Sequence, residues 1–313
     1  MNKMLFIFAM SVLVLVLFSC SQLNLFEPKS KISVIFSSAV EGEGDVTKVQ
    51  EYSSYSSTVL QGLNKREEAP WIKDIQHLYV KVSKFSYKYS TGPGAGKWAT
   101  PTTVEKVIDF TALDSETEWL KFDVPKGAVI VALALEVTQA TVTINDQSYP
   151  VTIPAEKARV VLPNLNWEVK DDSSEIVLSI DWSRSIIKSG PTSYMLVPRV
   201  AYRWRGTLKY LWAIYGDIKV NEATPTEPLL IGLFEGTDTS ATPTVLKLIP
   251  LRNEGKFWLG KHEKGIYTIV VWDNLTWEFE DEKYVISARK ATETTFEHGK
   301  ETAHTELHLA YSK

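Results

Sequence analysis

His304-Thr305-Glu306-Leu307-His308, with His298 just before it, gathers three of the five histidines of the chain around a carboxylate. On a strand, His304, Glu306 and His308 share one face and Thr305, Leu307 and Leu309 the other. Two imidazoles and a carboxylate can contribute to zinc binding, but a structural site needs four ligands. The metalloprotease order is His-Glu-x-x-His on a helix, and this stretch has another order and little helix preference. The expectation is a solvated strand face with no metal. Gly92-Pro93-Gly94-Ala95-Gly96-Lys97-Trp98 looks like a phosphate loop. That motif needs Gly where Thr91 stands, Ser or Thr where Trp98 stands, and a helix behind it. A hairpin loop is expected instead. No Gly-x-Ser-x-Gly elbow occurs. His77 lies in an alternating stretch and could orient a carboxylate, but no nucleophile can be named beside it. A paired-acid hydrolase site would need two carboxyl groups flanking a cleft, one of them with a raised pKa.

Binding chemistry has more to draw on. Of ten tryptophans, Trp182 and Trp204 fall in phase with inward residues and read as core. Trp98, Trp258 and Trp277 stand near turn signals; exposed rings there could stack on sugars or pack at an interface, and for each of them packing is the favoured reading. Arg199, Arg203 and Arg205 fall on one strand face, opposite Val200, Tyr202 and Trp204. Such a stripe either clamps acidic residues of a neighbouring strand or meets an anionic envelope polymer. No cofactor is implied.

The elements that must position these residues read as β almost throughout. In residues 74–82, Leu78, Val80 and Val82 alternate onto one face. Residues 128–137 are apolar on both faces, as in a central strand. Asn145-Asp146 separates two strand patterns and suits a two-residue hairpin. In residues 175–182, Ile176, Leu178, Ile180 and Trp182 are expected to face in, and Ser179 and Asp181 out. Residues 113–120 carry capping and acidic residues suited to a short helix. Residues 41–70 are polar and poorly periodic, long for a connection in a compact domain. A boundary near Arg205-Gly206 separates a second strand set: residues 207–220, 229–234, 244–250, 256–259, 265–272, 283–288 and 302–310. The fold class is therefore all-β, two sandwich-like domains in the immunoglobulin or transthyretin manner.

Residues 4–18 are nearly all apolar and follow Lys3, the form of a secretory leader; the run is shorter than the roughly 20 residues that cross a bilayer. Leu17-Phe18-Ser19-Cys20 resembles the lipobox of bacterial lipoproteins, with Leu three residues before Cys and a small residue just before it. The resemblance implies a cut before Cys20, diacylglycerol on its thiol and palmitate-type acylation of the new amine; two acyl chains anchor a protein stably. Cys20 is the only cysteine, so disulfides and cysteine-nucleophile chemistry are excluded. The expected segments are a signal peptide at 1–19, a tether at 20–30, and domains at 31–205 and 206–313. Losing Lys3 takes the net charge from −4 to −5, which argues against nucleic-acid binding. Ser21 after the cysteine favours an outer-membrane or cell-surface address over the inner membrane.

Three motifs carry a second resemblance: Asp109-Phe110-Thr111-Ala112-Leu113, the hairpin Ile144-Asn145-Asp146-Gln147-Ser148-Tyr149-Pro150-Val151-Thr152-Ile153-Pro154, and Asp181-Trp182 followed by Ser185-Ile186-Ile187-Lys188-Ser189-Gly190. Together they make residues 31–204 resemble the bacterial and archaeal lipoprotein domain-of-unknown-function family 4382, which implies no catalytic residues. Gly255-Lys256-Phe257-Trp258-Leu259 and Gly265-Ile266-Tyr267-Thr268-Ile269-Val270-Val271 resemble the transthyretin-like, carboxypeptidase-regulatory-like accessory sandwiches. The expected function is a non-catalytic, lipid-anchored envelope module for binding or scaffolding. Its partners would be the membrane and either envelope polysaccharide or another envelope protein. The alternatives are a glycan-binding module using exposed Trp and Tyr and, behind it, an envelope hydrolase with a carboxylate site.

Overall fold

The computed structural model describes residues 28–37, 39–41, 43–44, 50–51, 67–112, 115–208, 210–280, 283–299 and 304–313. Cys20, the leader and most of the tether lie outside them. The chain is all-β. In the first half the main strands are β1 (Lys29–Phe36), β2 (Ile75–Ser90), β3 (Thr117–Pro125), β4 (Val129–Ile144), β5 (Gln147–Thr152), β6 (Ser173–Ile180), β7 (Ser193–Leu196) and β8 (Val200–Arg205). The second half contributes β9 (Trp212–Val220), β10 (Leu229–Glu235), β11 (Val245–Ile249), β12 (Lys256–His262), β13 (Gly265–Glu280), β14 (Lys283–His298) and β15 (His304–Tyr311).

A five-stranded sheet runs Glu43–Gly44, β8, β6, β1, β3. A nine-stranded sheet is built on β7, β5, β4 and β2 with short flanking strands. Ile32, Val34 and Phe36 of β1 and Ile176, Leu178 and Ile180 of β6 share one core with Leu78, Val80, Val82 and Phe85 of β2. The alternation of β2 is thus realised as expected, and β4 is central, paired with β2 on one side and β5 on the other. Asn145 and Asp146 both have positive φ, 48° and 62°, the primed turn that matches strand twist. Asp146 stands where such turns favour Gly, and Gln76 clamps it: its Nε2 donates to Asp146 Oδ1 (3.0 Å) and its Oε1 accepts from Asp146 N (2.8 Å).

The second half has a three-stranded sheet, β12-β9-β15, and a seven-stranded sheet, Val40–Glu41, β11, β10, β13, β14, Gln50–Glu51, with Glu67–Glu68 pairing off β13. The seven-stranded sheet buries both faces. Leu229, Ile231, Leu233, Ile269 and Val271 pack on the three-stranded sheet. Leu230, Phe234, Leu246, Leu248 and Trp272 join the core of the first half. Residues 229–234 of β10 therefore read as a continuous apolar run, because none of them faces water. Parts of residues 41–70, expected as an irregular loop, instead add short strands to both halves: Glu43–Gly44 pairs with β8, while Val40–Glu41 and Glu67–Glu68 pair with β11 and β13.

Several expectations are corrected. Ser179 and Asp181 are buried: the chain at Ala39 covers Ser179, and Asp181 is folded under the turn at residues 182–185, where Ser183 Oγ and Arg184 Nε donate to its carboxylate. Ser179 Oγ donates to Ala39 O at 2.5 Å. Residues 117–120 are strand rather than helix: Leu120, Phe122 and Val124 alternate inward and β3 pairs with β1. A four-residue helical turn falls at Trp182–Ser185 instead. Arg199, expected on one strand face with Arg203 and Arg205, lies instead in the link between β7 and β8, which belong to different sheets. Lys29 and Ser30, expected in the tether, already belong to β1. The strands expected at 265–272 and 283–288 run on as a hairpin of two 16-residue strands, with a register shift between Asp273 and Thr276.

That extension makes Trp277 a packed residue, mid-strand and 1% exposed in the shared core, whereas Trp98 is 45% exposed on Lys97–Ala99. Trp277→Ala should lower unfolding free energy by about 3–5 kcal/mol, and Trp98→Ala should change it by no more than about 0.5 kcal/mol. Urea denaturation of the two variants checks the assignment.

Candidate functional site

The two halves meet through two charged clusters. The first is built on β6 and β8, whose register sets Glu175 opposite Arg205 and Val177 opposite Arg203. Directly opposed residues share a face, so this polar face lies outside while Ile176, Trp204 and Tyr202 line the core side. Arg205, with its side chain 1% exposed, donates from Nη1 to Glu116 Oε1 (2.6 Å) and Glu175 Oε2 (3.2 Å). Lys261 of β12 reaches the same carboxylates, at 3.3 and 3.6 Å. Beside it, Arg203 Nη1 donates to His262 Nδ1 at 3.3 Å and His262 Nε2 donates to Leu259 O at 2.7 Å. Both ring nitrogens are thereby committed in the neutral form. Burial, then the nearby Arg203 charge, pushes the His262 pKa down from 6.5 to about 3.

The second cluster centres on Asp109, at the end of a short strand paired with β2. Its Oδ1 accepts from Leu78 N (3.2 Å), Thr111 N (3.1 Å) and Thr111 Oγ1 (2.7 Å). Oδ2 lies 2.6 Å from His77 Nδ1 and 3.4 Å from Arg252 Nη1. Arg252 Nη1 is also 2.8 Å from His77 Nδ1. One ring nitrogen cannot both donate to Asp109 and accept from Arg252. The shorter contact puts the proton on Nδ1, and Arg252 joins through the carboxylate. Burial alone would raise the Asp109 pKa, but hydrogen bonds from His77 and Thr111 and the Arg252 charge outweigh it and hold the group below its ordinary value. A general acid needs the opposite shift.

Arg252 is delivered by a tight turn. Leu251–Asn253 is a single 3₁₀ turn, followed by Glu254 (φ 53°) and Gly255 (φ 83°) in left-handed conformation. A Cβ on Gly255 would sit 2.3 Å from Ile218 O, so only glycine fits. The turn borders a cleft of about 700 Å³, over the outward face of the three-stranded sheet. Tyr215 of β9 and Trp258 of β12 are register partners. Their ring centroids lie 6.2 Å apart with planes within 12°, and His304 stacks on Tyr215 at 5.6 Å. Lys219, Lys247, Arg252 and Lys256 bring positive charge to the cleft, and Asp217, Glu254 and Glu306 bring acceptors. Three buried donor atoms at this wall, Trp258 Nε1 and Arg252 Nε and Nη2, have no hydrogen-bond partner among the described residues. An orphaned buried donor costs about 1–3 kcal/mol.

Of the expected binding residues, only Trp258 lies in the cleft. Trp98 sits on another sheet, with the Arg159 guanidinium 5.9 Å from its ring centroid. Trp277 is core. Arg199 precedes β8 and donates from Nε to Arg184 O at 3.2 Å; Arg203 and Arg205 serve the junction. Arg205 is thus sealed away from any polymer and follows the clamp reading. His304, Glu306 and His308 do share an exposed face, and His308 Nδ1 pairs with Asp217 Oδ1. Among the described residues no three metal-ligand types gather to hold an ion. Gly92–Gly96 forms the hairpin loop between β2 and Lys97–Ala99. Sequence reasoning missed Arg252 and Tyr215; the alternation of residues 212–220 held a signal for Tyr215, and none for Arg252 was available.

The family model "Domain of unknown function (DUF4382)" matches residues 67–198. No curated protein matches the chain. Among solved structures, the major pilin subunit BcpA of Bacillus cereus is similar at 11% identity over 91% of this chain and 70% of that one, with a TM-score of 0.22. The shaft pilin SpaA of Lactobacillus rhamnosus GG is similar at 10% identity over 91% and 97%, with a TM-score of 0.16. Likenesses this slight carry no argument.

His262 makes the junction acid-sensitive. Its pKa is lower folded than unfolded, so its contribution is full above about pH 6.5 and is lost as pH falls toward 3. At pH 5 the loss should be about 2 kcal/mol. His262→Gln, which keeps a donor but does not titrate, should flatten the stability profile between pH 6.5 and 4.5. An unchanged slope in denaturation curves would remove His262 as its source.

Proposed function

We propose that the chain is a non-catalytic module of a bacterial cell envelope, held at a membrane surface by acyl chains on Cys20 and serving there to bind or scaffold. The observation that carries this reading is the seven-stranded sheet shared between two cores, which makes one stiff body out of two halves. Stiffness suits a part that presents a surface at a distance from its anchor. The best-placed titratable groups are spent on structure: Asp109 is held ionised by its neighbours and both His262 nitrogens are hydrogen-bonded. The lipobox-like Leu17-Phe18-Ser19-Cys20 supplies the anchor. The transthyretin-like reading of residues 206–313 fits a spacer with a binding face.

A second reading, glycan binding, is favoured by the Tyr215–Trp258 rings in the cleft. A pyranose ring presents a C–H face that packs on flat aromatic surfaces, and charged residues around it serve the hydroxyls. Quenching of tryptophan fluorescence by envelope polysaccharide, lost in Trp258→Ala, is its expected signature.

Metabolic labelling with palmitate tests the anchor. The wild-type chain should take up label and enter the detergent phase of Triton X-114, while Cys20→Ala should do neither. A Cys20→Ala chain that still carries label would sink the proposal.

A further inference from the structure

The end of the first half at which the described chain begins also carries an uncovered stretch of sheet. β1 starts at Lys29, opposite Pro125 of β3, and Lys126 N donates to Pro28 O at 2.8 Å. β3 turns there into β4, whose first residue, Val129, is the register partner of Ser90, the last residue of β2. Pro28 and the Gly92–Gly96 hairpin loop therefore stand at the same end of the molecule. Cys20 lies eight residues before Pro28, and a chain of that length reaches at most about 28 Å. With acyl chains on Cys20, this end is held within that distance of the lipid surface.

The outward side of the nine-stranded sheet beside this end has its own composition. Register sets Trp98, Lys88 and Ala132 in one row, Ser86, Ala134 and Val161 in the next, and Lys84, Glu136 and Arg159 in a third. Directly opposed residues share a face, and Leu133 and Leu135, on the other face of β4, fill the core. Ala132, Ala134 and Ser86 make a low floor, on which Trp98 and Val161 stand 45% and 46% exposed. The exposed Arg159 guanidinium lies 5.9 Å from the Trp98 ring centroid. Glu136 is taken by Lys84 at 3.4 Å, and Lys88 and Arg159 have no carboxylate partner among the described residues. The acidic groups of the neighbouring loop are engaged elsewhere: Asp172 by Lys126, Glu168 by Lys170 and Asp171 by the Thr207 hydroxyl. An exposed indole flanked by cations suits a lipid headgroup layer, where the ring takes the apolar side of the boundary and the cations meet phosphates. We propose that this face docks on an anionic lipid surface, with Trp98 and Val161 at headgroup level and Lys88 and Arg159 on lipid phosphates. The inference rests on the lipid-anchored reading of Cys20 and adds the face that meets the lipid. Two cations and one indole bind weakly alone. The anchor makes the contact intramolecular, at an effective concentration of roughly millimolar for so short a link.

The test couples the chain from Cys20 onward, which contains every described strand, through the Cys20 thiol to a maleimide-headgroup lipid. Vesicles of mixed phosphatidylglycerol and phosphatidylcholine are compared with phosphatidylcholine alone, and amide hydrogen exchange is read by mass spectrometry. On the anionic vesicles, exchange in residues 91–99 and 159–161 should slow about fivefold or more, the factor that one cation's attraction to an anionic surface supplies. The turn at residues 251–255, beside His77 at the far end of β2, should not change. Lys88→Gln combined with Arg159→Gln should abolish the slowing, and Trp98→Ala should reduce it. These are surface positions, and melting curves of the variants are matched to wild type. No slowing at residues 91–99, equal slowing on both lipids, or slowing that survives the double variant would each overturn the proposal. So would the same slowing in uncoupled chain without vesicles as its concentration rises, the mark of a second copy, or in uncoupled chain with soluble dextran sulfate, the mark of a polyanion site. Because the coupling supplies the anchor by hand, none of these outcomes bears on the palmitate experiment, and a failed palmitate experiment alters none of them.

Discussion

The structure depends on one sheet that buries both faces. Strands β10, β11 and β13 send alternate side chains into two different cores: Ile231 and Ile269 toward the three-stranded sheet, Leu230 and Trp272 toward the first half. Apolar area removed from water contributes roughly 25 cal/mol per Å², and here it is removed on both sides at once. Separating the halves would re-expose Leu230, Phe234, Leu246 and Trp272. Gly232 marks how tight the fit is, since a Cβ there would lie 2.8 Å from the Trp272 ring.

The charged clusters at the junction do a different job. A buried ion pair gains little net stability over an apolar contact of the same shape, but breaking one partner away is costly. Lys261 against Glu116 and Glu175, and Arg252 against Asp109, therefore set how the halves dock more than how strongly. The cleft inherits that geometry. The turn carrying Arg252 belongs to the second half, yet the first half decides which edge of its guanidinium stays unfilled.

Much of this was legible one strand at a time. The alternation of Leu78, Val80 and Val82, the double-sided apolar run of β4, and the Asn145-Asp146 turn are local patterns, and each appears where its pattern places it. Errors arose where a distant element changed the meaning of a local signal. Ser179 occupies the polar face of a half-buried strand and the chain at Ala39 then covers it, while Asp181 is folded under the turn that follows it. Asp273-Asn274 looks like a strand end, but a register shift carries β13 through it and buries Trp277. The acidic opening of residues 115–118 suits a helix, and pairing with β1 draws residues 117–125 into a sheet instead.

The sequence by itself determined the all-β class, the inward face of most strands and the outward face shared by His304, Glu306 and His308, because side-chain alternation is a property of neighbouring residues. Only the tertiary structure decided that the halves share a core, that Arg205 is spent on carboxylates, Arg203 on His262 and Arg199 on the Arg184 carbonyl, and that Arg252 meets Asp109. Residues 109 and 252 are 143 positions apart, and no local pattern encodes which distant charge will fill a buried vacancy. That choice is made when sheets dock and each desolvated group has to take the partner within reach.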